Sequence, residues 1–185
     1  MSNVLIGIIG VILFIGLALA GALILGDDFS TSRASTEAAA IQQQLSQVGA
    51  AYEMYRLKMG ARPVPASAFP HLVGRETMVA MIPRFLKTLP PNTDRPNSWW
   101  FFVDENGDPN ARDPVYVMFN IAGRDRSAEK VCDAVAETAG MADANGKARV
   151  FGKPPADRAQ GCYYYEGSWG YAQGLSGNLH FFRRI

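Results

Sequence analysis

The chain has 185 residues, of which 18 are basic and 17 acidic, for a net charge of +1. None of these charges lies in residues 1–26, and the strongest basic cluster is only Arg183-Arg184. The near-neutral balance argues against a nucleic-acid binder, and the charge-free run argues against a purely cytoplasmic soluble protein. Residues 27–185 are enough for one domain with its own core.

The first predicted element is an apolar helix. Residues Val4 to Leu25 are 22 consecutive Val, Leu, Ile, Ala, Phe and Gly residues. A helix of that length covers about 33 Å, enough for the core of a bilayer. A cleaved secretory signal fits poorly because no basic residue precedes Arg33. A single-pass anchor and a helix built to pack against other helices both remain open.

The helical pattern continues beyond Asp27-Asp28 in amphipathic form. One apolar stripe has the spacing 4, 3, 4, 3, 4, which is the period of a helix face. The stripe consists of Ile41, Leu45, Val48, Tyr52, Tyr55 and Met59. Ser35 or Thr36 offers a cap for a new start, and Gly60 offers a left-handed stop. We expect this face to pack against the domain that follows rather than to form a coiled coil.

The rest of the chain predicts an α+β head domain. Two aromatic or β-branched runs flank an Asn-Gly turn, which indicates a hairpin. The expected helices are a short one near Glu76–Leu86 and a longer one from Ser127 to about Ala139. The expected strands belong to an antiparallel sheet of about four strands, drawn from Trp99–Val103, Val115–Ile121, Ala148–Phe151, Cys162–Glu166 and Leu179–Arg183.

The two cysteines are Cys132 on the longer helix and Cys162 at the start of a strand. Two cysteines alone cannot form a structural zinc site, and His71 and His180 are not at ligand spacing. A disulfide is favoured if the head lies outside the cytoplasm. A pair of buried free thiols is the alternative.

An acidic turn is the weak candidate for a metal site. Asp104, Asn106 and Asp108 supply oxygen ligands of the kind that Ca²⁺ prefers. An EF-hand loop that begins at Asp104 would need Gly and Glu where Pro109 and Val115 stand. A polar hairpin turn is therefore favoured over a calcium site, and we expect no cofactor.

Taken together, these features resemble a type IV pilin, most like the type IVb group. The resemblance rests on the charge-free helix that runs into an amphipathic one ending at Gly60, on the Phe85–Pro91 element and on Cys132 with Cys162. It implies a long helix packed on an antiparallel sheet. Its three parts are 1–26 as the membrane or filament-core helix, 27–60 as the amphipathic continuation and 61–185 as the head.

The resemblance also implies a function and partners. The chain would be the structural subunit of a pilus, a helical homopolymer held together by its apolar helices. It would wait in the inner membrane, meet a prepilin peptidase and the pilus assembly machinery, and end in an extracellular filament. The residues implied in helix assembly are Leu5, Gly7, Gly10, Phe14, Gly16 and Gly21. No nucleic-acid contact is evident.

One position departs from the family pattern. Pilins carry Glu at the fifth mature position, and here that position is Leu5 if Met1 is the first mature residue. No leader precedes Met1, so the expectation is a processed chain with a methylated Met1. The departure is consistent with a minor or tip pilin in adhesion or priming, or with a branch whose filaments assemble without that Glu. A periplasmic interaction domain on a single-pass anchor is a separate alternative. No P-loop, nucleophile elbow or zinc-protease helix is present, so we expect no enzymatic activity.

Overall fold

The structure is a computed structural model with one long helix, a mixed sheet and a second helix. It describes residues 2–60, 77–91, 98–107, 115–121, 126–166 and 177–185, without the side chains of 2–10 and 18–28. Met1, His71, Asp108 and Pro109 lie outside the described residues.

The first element is a single helix, α1 (Ser2–Met59), of 58 residues. At about 1.5 Å per residue it is roughly 87 Å long. Neither Ser35 nor Thr36 caps a new start, because both hydroxyls donate to the carbonyl of Ser32 at 2.9 Å inside the helix. The helix is continuous across this point, as the expected amphipathic continuation requires. Gly60 ends the helix as expected, with φ of 65° and its N–H donating to the carbonyl of Arg56 at 2.9 Å.

The sheet has five strands within the described residues, in the order β1-β2-β5-β4-β3. The strands are β1 (Ser98–Val103), β2 (Tyr116–Ile121), β3 (Val150–Phe151), β4 (Gln160–Tyr165) and β5 (Leu179–Arg184). Three pairs are antiparallel, but β3 runs parallel to β4. The expectation of about four antiparallel strands is therefore corrected to a five-stranded mixed sheet, while the α+β class and the long N-terminal helix stand. The parallel pair arises because residues 152–159 return along the sheet before β4 begins.

One face of the sheet packs against the second half of α1. The ring of Tyr52 stacks on Phe102 with centroids 4.9 Å apart. At Gly49 a Cβ atom would lie 2.6 Å from Cγ2 of Ile185, so glycine permits the close approach of α1 to the end of the chain. On the same face, the fully buried rings of Phe119 and Phe181 lie on adjacent strands with centroids 6.1 Å apart.

The other long helix, α2 (Arg126–Thr138), covers the same face beside α1. Small residues let the two helices approach, since Ala34 and Ala38 of α1 are both buried. At the edge of this contact, Lys130 donates to the hydroxyl of Ser30 at 2.7 Å. Residues 77–81 form a further short helical segment, within the range expected for the short helix.

Candidate functional site

The first candidate interaction surface is the exposed apolar part of α1 at residues 11–17. Six large apolar side chains on consecutive turns are between 51% and 73% exposed. They are Val11, Ile12, Leu13, Phe14, Ile15 and Leu17. Exposed apolar surface of this extent marks a site of interaction with protein or lipid.

The structure describes the surroundings of only two of the helix-assembly residues implied by the resemblance, Phe14 and Gly16. Leu5, Gly7, Gly10 and Gly21 all lie within α1, but their surroundings lie outside the described side chains. Phe14 is 73% exposed. A Cβ atom built on Gly16 meets nothing within 4 Å, so the helix surface there is open to a neighbour.

The membrane expectation concerns the same segment. Among the helical residues that the structure describes, none form a stretch long and apolar enough to cross a bilayer. Most of the charge-free run falls outside the described side chains.

The apolar stripe of α1 faces the head over most of its length. Ile41, Leu45, Val48 and Tyr52 are at most 1% exposed. Tyr55 is half-buried and meets Phe85 edge to face, with ring centroids 5.2 Å apart. Met59, expected in the same contact, is 51% exposed. That expectation is wrong because the last turn of α1 is solvent-facing, with Lys58 and Gly60 also exposed.

The cysteines form a disulfide that joins α2 to the sheet. The Cα atoms of Cys132 and Cys162 are 5.3 Å apart, and both residues are fully buried. The bond spans 30 positions and therefore encloses the segment between α2 and β4. Of the two alternatives raised by the sequence, the disulfide is the one present.

A buried carboxylate organises the enclosed segment. Asp133 of α2 accepts the backbone N–H of Ala148 at 2.9 Å and the ammonium of Lys147 at 2.8 Å. The hydrogen bond and charge of Asp133 raise the pKa of Lys147. Asp143 accepts the N–H groups of Lys147 and Asn145, and these bonds lower the pKa of its carboxyl. The segment is thus a surface loop with an ordered base.

The weak calcium candidate is a hydrogen-bonded turn in the described residues. Asp104 accepts the backbone N–H of Asn106 at 2.8 Å and its side-chain amide at 3.3 Å. Asp108, the third candidate ligand, lies outside the described residues. Within the described part of the chain no three His, Cys, Asp or Glu side chains are grouped to hold a metal ion.

A buried polar pair on the other face of the sheet was not anticipated from the sequence. Asn120 and His180 are register partners on β2 and β5, with Nδ2 and Nε2 2.6 Å apart. With the amide donating, Nε2 accepts and the imidazole is neutral. The ring stacks on Tyr165 at 4.8 Å. Burial lowers the pKa of His180 to about 3.

Comparison with known proteins adds no relative. No family model, no curated protein and no solved structure matches the chain.

Proposed function

We propose that the chain is the structural subunit of a type IV pilus of the IVb-like kind. The observation that carries the proposal is that the two halves of α1 have different surroundings. One continuous helix packs its second half into the head, while its residues 11–17 present large apolar side chains to the outside. A buried disulfide and an ordered enclosed loop are compatible with a head exposed on a cell surface.

The mechanism is the exchange of one apolar environment for another. In the free subunit the charge-free first half of α1 lies in the inner membrane. On assembly, packing against the helices of identical subunits replaces burial in lipid. Covering a large apolar side chain is worth about 1.5–3 kcal/mol relative to water, so the six side chains at 11–17 represent about 10 kcal/mol per subunit. A subunit outside both environments would be strongly disfavoured.

Electron microscopy of material sheared from cells, with mass spectrometry of the N-terminus found there, tests the proposal. We expect filaments in which this chain is the dominant protein. Gly16→Leu should abolish them while the head still folds, because the added side chain fills the open helix surface at Gly16. Ala144→Leu, which adds similar bulk at an exposed site of the head, should assemble normally. Normal filaments from Gly16→Leu would count against assembly through this helix.

A second candidate is a minor or tip pilin, and Leu5 in place of the expected Glu favours it. The two candidates differ in abundance, because a tip protein is nearly absent from purified filaments. A protein that stays in detergent-extracted membranes and never enters sheared material would instead be an interaction domain on a single-pass anchor.

A further inference from the structure

The segment enclosed by the disulfide contains an asparagine–glycine pair in a tight turn. Asn145 is exposed, and Gly146 is partly buried with a φ of 73°. The N–H of Gly146 donates to the carbonyl of Asp143 at 3.1 Å, and the N–H of Asn145 donates to the carboxylate of Asp143 at 2.8 Å. A Cβ atom built on Gly146 meets nothing within 4 Å. The backbone of this pair is therefore open to solvent.

A second asparagine–glycine pair, Asn106-Gly107, lies in the turn that follows β1 and differs in one respect. Gly107 also has a positive φ, of 78°, and its N–H donates to the carbonyl of Asp104 at 3.1 Å. The difference lies in the asparagine side chain. Nδ2 of Asn106 donates to Oδ2 of Asp104 at 3.3 Å, whereas no described residue bonds the side-chain amide of Asn145. Gly107 is also buried, unlike Gly146.

The elements around the two turns also differ in strength. The turn at 104–107 follows a strand that pairs with β2 over all six of its residues. A further main-chain bond joins the N–H of Val115 to the carbonyl of Val103 at 2.8 Å. The turn at 143–146 lies inside a single isolated bridge between Ala142 and Ala148. Because local opening is easier where fewer backbone bonds must break, the second turn opens more often.

We propose that Asn145 is a site of non-enzymatic deamidation and that Asn106 is protected from it. When the turn opens, the backbone nitrogen of Gly146 gives its proton to hydroxide and attacks Cγ of Asn145. Glycine presents no side chain to hinder this approach. A bond forms between that nitrogen and Cγ, the bond from Cγ to Nδ2 breaks, and the amide nitrogen leaves as ammonia after taking a proton from water. Water then opens the cyclic imide to aspartate or isoaspartate, so the net reaction consumes one water and releases one ammonia.

The modification would change the charge and the shape of the enclosed segment. One added carboxylate beside Asp143 lowers the formal net charge of the chain from +1 to zero. Isoaspartate also adds a methylene to the main chain, so Asp143 can no longer accept the N–H groups of both residue 145 and Lys147 in the same geometry. Lys147 bonds to Asp133 of α2, so the change reaches the ordered base of the segment. This inference does not depend on the proposed filament function.

The test follows both asparagines in the full-length, detergent-solubilised chain during incubation in mildly alkaline buffer. Peptide mass spectrometry with identification of isoaspartate reports each position, and ion exchange reports the loss of net charge. We expect Asn145 to convert about tenfold or more faster than Asn106 in the folded chain. In concentrated urea, where neither turn persists, the two should convert at similar rates because both precede glycine.

Two variants separate the structural cause from the sequence motif. Asp104→Ala removes the acceptor that holds the amide of Asn106, so conversion at Asn106 should rise several-fold while Asn145 is unchanged. Asn145→Gln is the matched control, because the longer side chain forms a cyclic imide far less readily, and its net charge should stay constant. The proposal is overturned if the folded chain shows no conversion at Asn145 or equal rates at both positions. A rate at Asn106 that does not change in Asp104→Ala would overturn the proposed protection.

Discussion

The buried His180 should make the head acid-sensitive over a defined pH range. In the unfolded chain the imidazole titrates near pH 6.5, whereas burial lowers its pKa to about 3 in the fold. Between these values the unfolded state binds one more proton than the folded state, so stability falls as the pH falls. No loss is expected from this group above about pH 6.5, where both states are neutral.

The magnitude follows from the size of the pKa shift. At about 1.4 kcal/mol for each unit, the shift of His180 from 6.5 to about 3 corresponds to a loss of about 5 kcal/mol across the range. The cost is high because the buried ring packs against Tyr163 and Tyr165, and the described residues around it offer no carboxylate to compensate a positive charge. The loss would be comparable with the whole stability of many small domains.

The measurement is urea unfolding of the detergent-solubilised chain at several pH values. His180→Gln is the control because glutamine can still accept from Asn120 but does not titrate. The carboxylates of the chain contribute the same pH dependence to both proteins, so the difference between the two curves isolates His180. We expect the unmodified protein to lose stability faster by up to about 1.4 kcal/mol per pH unit. Parallel curves from pH 7 to pH 3 would refute the reasoning.

Three further predictions concern the head. Reducing the Cys132–Cys162 bond in the unfolded chain before refolding should lower the free energy of unfolding by about 3–4 kcal/mol. The reason is that the bond closes a loop of 30 positions and so restricts the unfolded chain. Asp133→Ala should cost about 1–3 kcal/mol by urea unfolding, since it leaves the buried N–H of the enclosed loop without its acceptor. Gly161→Ala should cost about 1–3 kcal/mol, because the new Cβ collides with the sulfur of Met141.

A different result would contradict each of these three predictions. An unchanged urea midpoint after reduction would mean that the disulfide does not contribute to the stability of the head. Lys147→Ala is the control for Asp133, because Lys147 is largely exposed and its loss should cost under about 1 kcal/mol; equal costs would mean that the ion pair, not the backbone hydrogen bond, matters. Truncating Met141 should lessen the penalty of Gly161→Ala, and additive effects would contradict a collision between them.

Local patterns predicted much of the fold. The stripe from Ile41 to Tyr52 identified the buried side of α1 because burial in a helix follows its period. Gly60 identified the end of α1 because the left-handed conformation favours glycine. These features depend on neighbours within a few residues, which a single sequence displays.

Features that depend on distant neighbours were not predictable. Asn120 and His180 meet only because β2 and β5 are in register, although 60 positions separate them. The parallel pairing of β3 depends on the path of the enclosed segment rather than on its composition. The exposure of Met59 depends on where the surface of the head stops along α1. In each case the deciding partner lies on another element.

The position of the disulfide has a mechanical consequence. In the proposed filament, tension would enter each head through α1 and would have to pass to the sheet through the layer of helices. Without a covalent link, that layer is held to the sheet by side-chain packing, which shear can separate step by step. The bond between Cys132 and Cys162 fastens α2 to a strand inside the sheet, at a site that solvent does not reach. In the proposed filament the two layers of the head would therefore bear load together.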